Sequence, residues 1–269
     1  MHWLEKMFGT LKPIIGMCHL KALPDDPSYQ MEKGINYIID EAAHDIKILQ
    51  NEGINGILIS NEFSYPYRQK VSQITVATMA RVIGELKKDI RVPFGVDCMY
   101  DPYATIDLST ATGANYYRIT LEPMSISDLE LGNTELGDIF RYASRNMNPN
   151  AKCIVNIEYT IRQYAASELL KKIIQAVMVQ LNPSVICMSA NSITNLYANK
   201  YVISKEGNNK LIIMCDGGCN EMNVEDIIIH TNGIIVGTAL KENHELQNSI
   251  SQHNVRDLIN TAKNSKCMY

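Results

Sequence analysis

The sequence L-I-I-M-C-D-G-G-C occupies residues 211–219, and G-I-I-V-G-T-A-L-K occupies residues 233–241. In each segment an apolar run of strand length ends in glycine, at Gly217-Gly218 and at Gly237. Glycine permits a sharp turn and lets a ligand approach the peptide N–H groups closely. A helix that begins just beyond such a turn adds unpaired N–H donors and a partial positive charge. Two of these loops side by side predict an anion site of the kind that binds phosphate.

Further apolar runs of strand length precede these two along the chain. Most of the runs are continuous rather than alternating, which is typical of parallel strands buried on both faces. Turn sequences come before four of them, for example G-I-N-G before Ile57 and H-T-N-G before Ile234. The predicted strands are Pro13–Cys18, Gly56–Ile59, Val92–Val96, Tyr116–Leu121, Cys153–Ile157, Val185–Met188, Leu211–Cys215 and Ile234–Val236.

Helical patterns lie between the strands, and the helical period is clearest in Met31–Asn51. Regular alternation of strand and helix favours a closed (β/α)₈ TIM barrel over an open, doubly wound α/β sheet. Because no linker rich in Pro, Gly or Ser divides the chain, we predict a single domain over residues 1–269, with its core at about 12–263. The other predicted helices are Ile74–Leu86, Ala104–Ala111, Leu136–Asn146, Ala165–Leu181, Ser192–Tyr201, Val224–His230 and Val255–Ala262.

Composition restricts the classes of partner. The formal net charge of -4 and the absence of a basic block argue against nucleic acid or an anionic membrane as the main partner. No apolar run approaches the roughly 18 residues of a transmembrane helix, and the N-terminus lacks the apolar segment of a signal peptide. The 7 cysteines, an odd number without a C-x-x-C pair, indicate a reducing, cytoplasmic location and give little support to a zinc site.

Polar residues at the carboxyl ends of the strands are the candidate functional residues, because function in this fold lies there. His19 follows the first strand and is the best candidate for proton transfer, with a structural histidine as the alternative. Asp97 and Glu158 are candidate acid–base groups, and Arg118 lies where its side chain can point into the barrel. Alternatively, Asp97, Glu158 and Arg118 form a buried ion-pair network that only organises the core. The other strand-end polar residues are Asn61, Glu62, Thr120, Glu122, Asn156, Ser189, Asn191, Asp216 and Thr238.

Two further patterns leave alternatives open. Glu62, Asp97, Glu158 and Asp216 are converging carboxylates that can bind Mg²⁺ or act as acid and base, and Asp97, Glu158 and Asp216 are the candidate metal ligands. The tract S-Y-P-Y-R at Ser64–Arg68 predicts either a lid or a loop held by aromatic packing.

Five segments, in order between Lys12 and Asn243, resemble the BtpA family, which includes SgcQ-like proteins. They are P-I-I-G-M-C-H-L-K-A-L-P at 13–24, G-I-N-G-I-L-I-S-N-E-F at 53–63, V-P-F-G-V-D-C-M-Y-D at 92–101, V-I-C-M-S-A-N-S-I-T-N at 185–195 and G-I-I-V-G-T-A-L-K at 233–241. The resemblance implies a barrel of the ribulose-phosphate-binding type, in agreement with the strand pattern.

The chain departs from the pattern of that family at the predicted site. Asp97 stands where the family usually has Asn, and Asp216-Gly217-Gly218 stands where it usually has Gly-Ser-Gly. After the second strand the family usually has a Glu-Asn pair. This chain has Ser60-Asn61-Glu62 at that place, so only Asn61 matches the pair cleanly. The carboxylate of Asp216 would repel a phosphate unless a metal ion or Arg118 compensates its charge.

These observations together predict an enzyme that acts on a small phosphorylated sugar or nucleotide-derived metabolite, by isomerase, aldolase or hydrolase chemistry. The alternative is a non-catalytic assembly or stability factor for a protein complex. The cofactor is unknown, with Mg²⁺ as the candidate, and a homo-oligomer is compatible with both functions. The predicted substrate- and phosphate-binding residues are Asn61, Arg118, Ser189, Gly217, Gly218, Gly237 and Thr238.

Overall fold

The computed structural model describes residues 1–121, 135–146, 148–157, 174–190 and 212–265. Eight parallel strands form a closed barrel in which each strand pairs with its neighbours in chain order and the last pairs with the first. The predicted TIM barrel is therefore confirmed. The strands are β1 (Ile14–His19), β2 (Gly56–Ser60), β3 (Phe94–Asp97), β4 (Tyr116–Leu121), β5 (Lys152–Ile157), β6 (Val185–Met188), β7 (Ile213–Asp216) and β8 (Ile234–Val236).

Helices pack around the barrel and cover the outer faces of the strands. Within the described residues the helices are α1 (Trp3–Phe8), α2 (Gly34–Asn51), α3 (Gln73–Leu86), α4 (Pro102–Thr112), α5 (Glu135–Asn146), α6 (174–180), α7 (Val224–His230) and α8 (Gln252–Asn264). The predicted helix Ser192–Tyr201 and the first residue of the predicted strand at Leu211 lie outside the described residues.

The strands are buried on both faces, as their continuous apolar sequences predict. One apolar cluster joins the helices to the outward-facing strand residues, and a second fills the barrel interior. Within the interior cluster, the ring of Tyr116 needs the bare backbone of Gly95, where a Cβ atom would lie 2.2 Å from the ring. Tyr116 also donates a hydrogen bond from its hydroxyl to the Ile57 carbonyl, at 2.6 Å.

A short helix, α1, precedes the barrel and was not among the predicted helices. Its Leu4 and Phe8 are buried with the interior cluster, and Phe8 packs edge-on against Tyr116 at 5.6 Å between ring centroids. His2 caps the first turn by accepting a hydrogen bond from the Leu4 N–H, and Gly9 ends the helix with a φ of 73°. Since Tyr116 begins β4, α1 covers the amino-terminal end of the barrel.

No helix among the described residues is long and apolar enough to cross a membrane.

Candidate functional site

A cavity of about 710 Å³ lies at the carboxyl ends of the strands. Its walls combine the ends of β1, β4, β5 and β6 with the loops that follow β2, β7 and β8. Six of the predicted substrate- or phosphate-binding residues line it, together with the predicted proton-transfer residue His19. Those six are Arg118, Ser189, Gly217, Gly218, Gly237 and Thr238.

Arg118 is the central charge of this site. Its guanidinium donates from Nε and Nη2 to one oxygen of Asp97, at 2.7 and 2.6 Å, and from Nη1 to Asp216, at 2.6 Å. Burial acts to lower the pKa of Arg118, but Asp216 and Asp97 outweigh it and hold that pKa well above the ordinary value. The arginine therefore stays charged, and it compensates the carboxylate of Asp216 that the sequence placed beside the glycine loops.

This arrangement changes the interpretation of the two aspartates. Asp97 is fully buried, binds Arg118 and does not line the large cavity, so the buried ion-pair alternative describes it better than an acid–base role. Asp216 forms an ion pair with the same guanidinium, that of Arg118. Glu158, a further carboxylate of the predicted metal set, lies outside the described residues.

The predicted Mg²⁺ site is poorly matched by these groups. Among the described residues, no group of three or more His, Cys, Asp or Glu side chains is arranged to hold a metal ion. One oxygen each of Asp97 and Asp216 already binds a cation, since Arg118 lies between them. A hard divalent ion needs several free oxygen ligands, so the described part of the site is built around a guanidinium instead.

His19 lies at the end of β1 with 5% of its surface exposed. Neither ring nitrogen has a hydrogen-bond partner among the described residues. Burial, followed by the positive charges of Lys241, Arg118 and Lys21, lowers the pKa of His19 to about 3. The ring is therefore neutral near pH 7 and presents one donor and one acceptor nitrogen that the described protein leaves unused.

The two glycine loops line the cavity on the side of β7 and β8. Gly217 and Gly218 have φ values of 83° and 77°, a left-handed conformation that favours glycine. At Gly237 a Cβ atom would lie 2.8 Å from His19 Cε1, so the ring packs directly on this loop. The peptide N–H groups of Gly218, Gly237 and Thr238 donate no hydrogen bond to another described residue.

The predicted helix starts beyond the glycines are weaker than expected. A single 3₁₀ turn, Thr238–Leu240, follows Gly237, and α7 begins only at Val224, well beyond Gly218. Neither loop leads directly into a long helix whose aligned peptides would form a dipole. An anion there would therefore be bound by local N–H groups rather than by a helix dipole.

Glu62, one of the carboxylates predicted to bind Mg²⁺ or to act as acid and base, lines the cavity after β2. Tyr67 and Ser60 donate hydrogen bonds to its carboxylate, at 3.2 and 3.4 Å. Burial raises the pKa of Glu62, and the opposing effect of Arg118 does not cancel this rise. A half-buried carboxylate with a raised pKa at a cavity wall suits proton transfer. Its position at a strand end was the signal in the sequence.

Asn61 itself is buried and does not line the large cavity. Its side-chain oxygen accepts a hydrogen bond from the Met99 N–H at 2.8 Å, which fixes the start of the loop after β3. It lines a separate cavity of about 50 Å³, so a direct role in substrate binding stays a prediction.

The tyrosine tract after β2 is held in place by contacts. Tyr67 packs against Tyr65 and Tyr100, with ring centroids 5.8 and 5.2 Å apart, and its hydroxyl binds Glu62. Arg68 forms an ion pair with Asp25 at 2.7 Å. These contacts favour the loop held by aromatic packing.

Known proteins resemble this chain over nearly the whole length of the barrel. The BtpA family model matches residues 10–264. The chain belongs to the BtpA family. The putative sgc region protein SgcQ of Escherichia coli is 35% identical over 258 residues, which are 95% of this chain and 96% of SgcQ.

A more distant relative agrees with this assignment, and a solved structure shares the fold. The photosystem I biogenesis protein BtpA of Synechocystis sp. is 22% identical over 92% of this chain and 86% of its own. Phosphoribosyl anthranilate isomerase from Thermococcus kodakaraensis superposes with a TM-score of 0.55 at 13% identity, over 94% of this chain and 99% of its own. At that identity the superposition supports the fold alone.

Proposed function

We propose that this BtpA-family barrel is an enzyme that acts on a small phosphorylated sugar or nucleotide-derived metabolite. The observation that carries the proposal is the cavity at the strand ends. Two glycine loops with unused N–H groups and a buried histidine with unused ring nitrogens line the same cavity. Unsatisfied polar groups in a buried site are costly unless a ligand completes them.

In this proposal the phosphate binds to the N–H groups of the Gly217-Gly218 and Gly237-Thr238 loops, beside Ser189. Neutral His19 donates a hydrogen bond to the phosphate or to a sugar oxygen, a role that needs no ionised imidazole. Glu62 is the proton-transfer group, because its raised pKa brings it closer to neutral pH.

Arg118 and Asp97 have a supporting role. Asp97 holds the guanidinium, and Arg118 in turn pairs with Asp216, which reduces the repulsion between an anion and the carboxylate beside the phosphate loops. One solved structure with the same fold is named phosphoribosyl anthranilate isomerase. That name is compatible with our proposal that this chain acts on a phosphorylated sugar.

The variant Gly237→Ala tests the phosphate site. Its φ of -118° is accessible to alanine, but its ψ of -89° lies outside the favoured regions, so the variant strains the loop backbone and also places a methyl group 2.8 Å from His19 Cε1. We expect the affinity for ribose 5-phosphate to fall by about tenfold or more, a loss of roughly 1.4 kcal/mol. Isothermal titration calorimetry measures the change, with unphosphorylated ribose as the ligand control.

Gly84→Ala is the matched control, because Gly84 lies on α3 with open space around it. We expect it to bind like the wild type and to gain up to about 1 kcal/mol in helix stability. If Gly237→Ala folds and binds ribose 5-phosphate as tightly as Gly84→Ala does, the phosphate site does not lie at this loop.

A non-catalytic assembly factor is the second candidate function. The name of the relative from Synechocystis sp. favours it, as does the surplus of carboxylates over Arg118 in the described cavity. On this alternative the wild type binds no phosphorylated sugar at millimolar concentration, a result that would also overturn the first proposal.

A further inference from the structure

A second cavity of about 560 Å³ lies beside the first. Its lining differs from that of the large cavity, because five aromatic side chains contribute to it: Tyr29, Tyr37, Phe63, Tyr65 and Tyr67. None of these residues has a role in the proposed phosphate site.

The five aromatic side chains are partly or largely exposed, and Tyr29 also packs against the core. Phe63 and Tyr37 are half-buried, while Tyr65 keeps 71% of its surface exposed. Tyr65 and Tyr67 meet at 89° with ring centroids 5.8 Å apart, so they form a corner and not a closed stack. Lys21 lies with its ammonium 5.3 Å from the centre of the Phe63 ring. Partly exposed aromatic side chains with a cation nearby suit a planar, electron-rich ring.

The two cavities meet at shared residues. Glu62 lines both of them, and so does Leu246 from the segment after β8. A ligand that occupied both cavities would pass Glu62 and Leu246, the residues common to the two linings. Glu62 then lies beside the part of the ligand that connects its two ends.

We propose that the substrate is a phosphorylated sugar that carries a planar heteroaromatic ring, of which a nucleoside monophosphate is the simplest example. The ring occupies the aromatic cavity, the phosphate lies at the glycine loops, and the sugar lies beside Glu62. This inference rests on the proposed function and names the class of its substrate.

The test compares ligands that share a phosphorylated ribose. The affinities of ribose 5-phosphate and of the 5′-monophosphates of adenosine, guanosine, cytidine and uridine are measured by calorimetry on the full chain. Stacking of a base on an aromatic side chain typically strengthens binding by about 5- to 150-fold. We expect at least one nucleoside monophosphate to bind about tenfold or more tightly than ribose 5-phosphate.

Phe63→Ala should remove most of that advantage and leave the affinity for ribose 5-phosphate unchanged, since Phe63 does not line the phosphate cavity. Phe140→Ala is the matched control, because Phe140 is 47% exposed on α5 and lines neither cavity. It should bind every ligand as the wild type does.

The outcomes separate this inference from the proposed function. If ribose 5-phosphate binds and no base improves its affinity, the ring-bearing substrate is overturned while the phosphate site stands. The same holds if a base helps equally in the wild type and in Phe63→Ala. If unphosphorylated nucleosides bind as tightly as their monophosphates and depend on Phe63, the ring site stands and the phosphate site is overturned. If none of these ligands binds, both proposals fall.

Discussion

Arg118 forms its ion pairs with residues that are distant in the sequence. It is separated from Asp97 by 21 residues and from Asp216 by 98, yet both carboxylates lie within 2.7 Å of its nitrogens. The network is almost completely buried, since the three side chains are only 1–6% exposed. Buried charges of this kind are tolerated only when they are paired, so each member depends on the others.

Replacement of Arg118 by Met should therefore destabilise the protein strongly. It leaves Asp97 and Asp216 buried without a counter-ion, and we expect a loss of about 3–5 kcal/mol in the free energy of unfolding. Urea denaturation followed by circular dichroism measures it. The triple variant Arg118→Met, Asp97→Asn, Asp216→Asn should recover most of the loss, because no unpaired charge remains.

The exposed ion pair of Arg68 and Asp25 provides the control. Its side chains are 56% and 41% exposed, so Arg68→Met should change stability by no more than about 1 kcal/mol. Equal effects of the two arginine substitutions would contradict the buried network.

His19 should make stability depend on pH in acid. Its pKa is about 3 in the folded protein and 6.5 when unperturbed. Below pH 6.5, therefore, His19 binds a proton in the unfolded chain but stays unprotonated in the folded chain. The stability that neutral His19 contributes is complete above pH 6.5. It falls by about 1.4 kcal/mol per pH unit as the pH drops from about 6.5 toward 3.

The variant His19→Gln should lack this part of the pH dependence, which urea denaturation at several pH values measures. His44→Gln replaces an exposed histidine on α2 and serves as the control. If His19→Gln loses stability between pH 6.5 and 4 as steeply as His44→Gln does, His19 is not buried in its neutral form.

At the scale of elements, the strands were predicted well because parallel buried strands have a distinct composition. Tyr116–Leu121, Val185–Met188 and Ile234–Val236 match their predicted bounds, and the other strands differ from theirs by one or two residues at one or both ends. These runs are apolar on both faces, so their burial can be predicted from the residues of each strand alone.

Helix α1 was missed for the opposite reason. Its six residues are too few to show a helical period, and its burial depends on the end of a barrel formed by later residues. The signals that were present are local, namely His2 as a cap, Gly9 as a stop, and apolar Leu4 and Phe8 four residues apart.

Phe8→Ala tests the contribution of α1 to the barrel. Phe8 is 6% exposed and contacts Tyr116, so we expect a loss of about 3–5 kcal/mol in the free energy of unfolding. Leu11→Ala, at a side chain that is 53% exposed, should stay within about 0.5 kcal/mol of the wild type. A small effect of Phe8→Ala, measured by urea denaturation, would mean that α1 does not close the barrel.

At the scale of the whole molecule, the cavity joins residues from the first strand to the last. His19 meets Gly237 because β1 pairs with β8, and Glu62 reaches the same space from β2. The strand-end rule selected these positions, but it treated all of them alike. It did not separate Glu62, which lines the cavity, from Asn61, which fixes a loop.

The sequence by itself determined the barrel, the family and the set of strand-end residues. Each of these depends on patterns within a strand, a helix or a loop, where neighbours in the chain are neighbours in space. Only the tertiary structure decided that Arg118 binds both Asp97 and Asp216, that His19 is neutral, and that an aromatic cavity adjoins the glycine loops. Those properties depend on distance and burial between residues far apart in sequence, and barrel closure sets both.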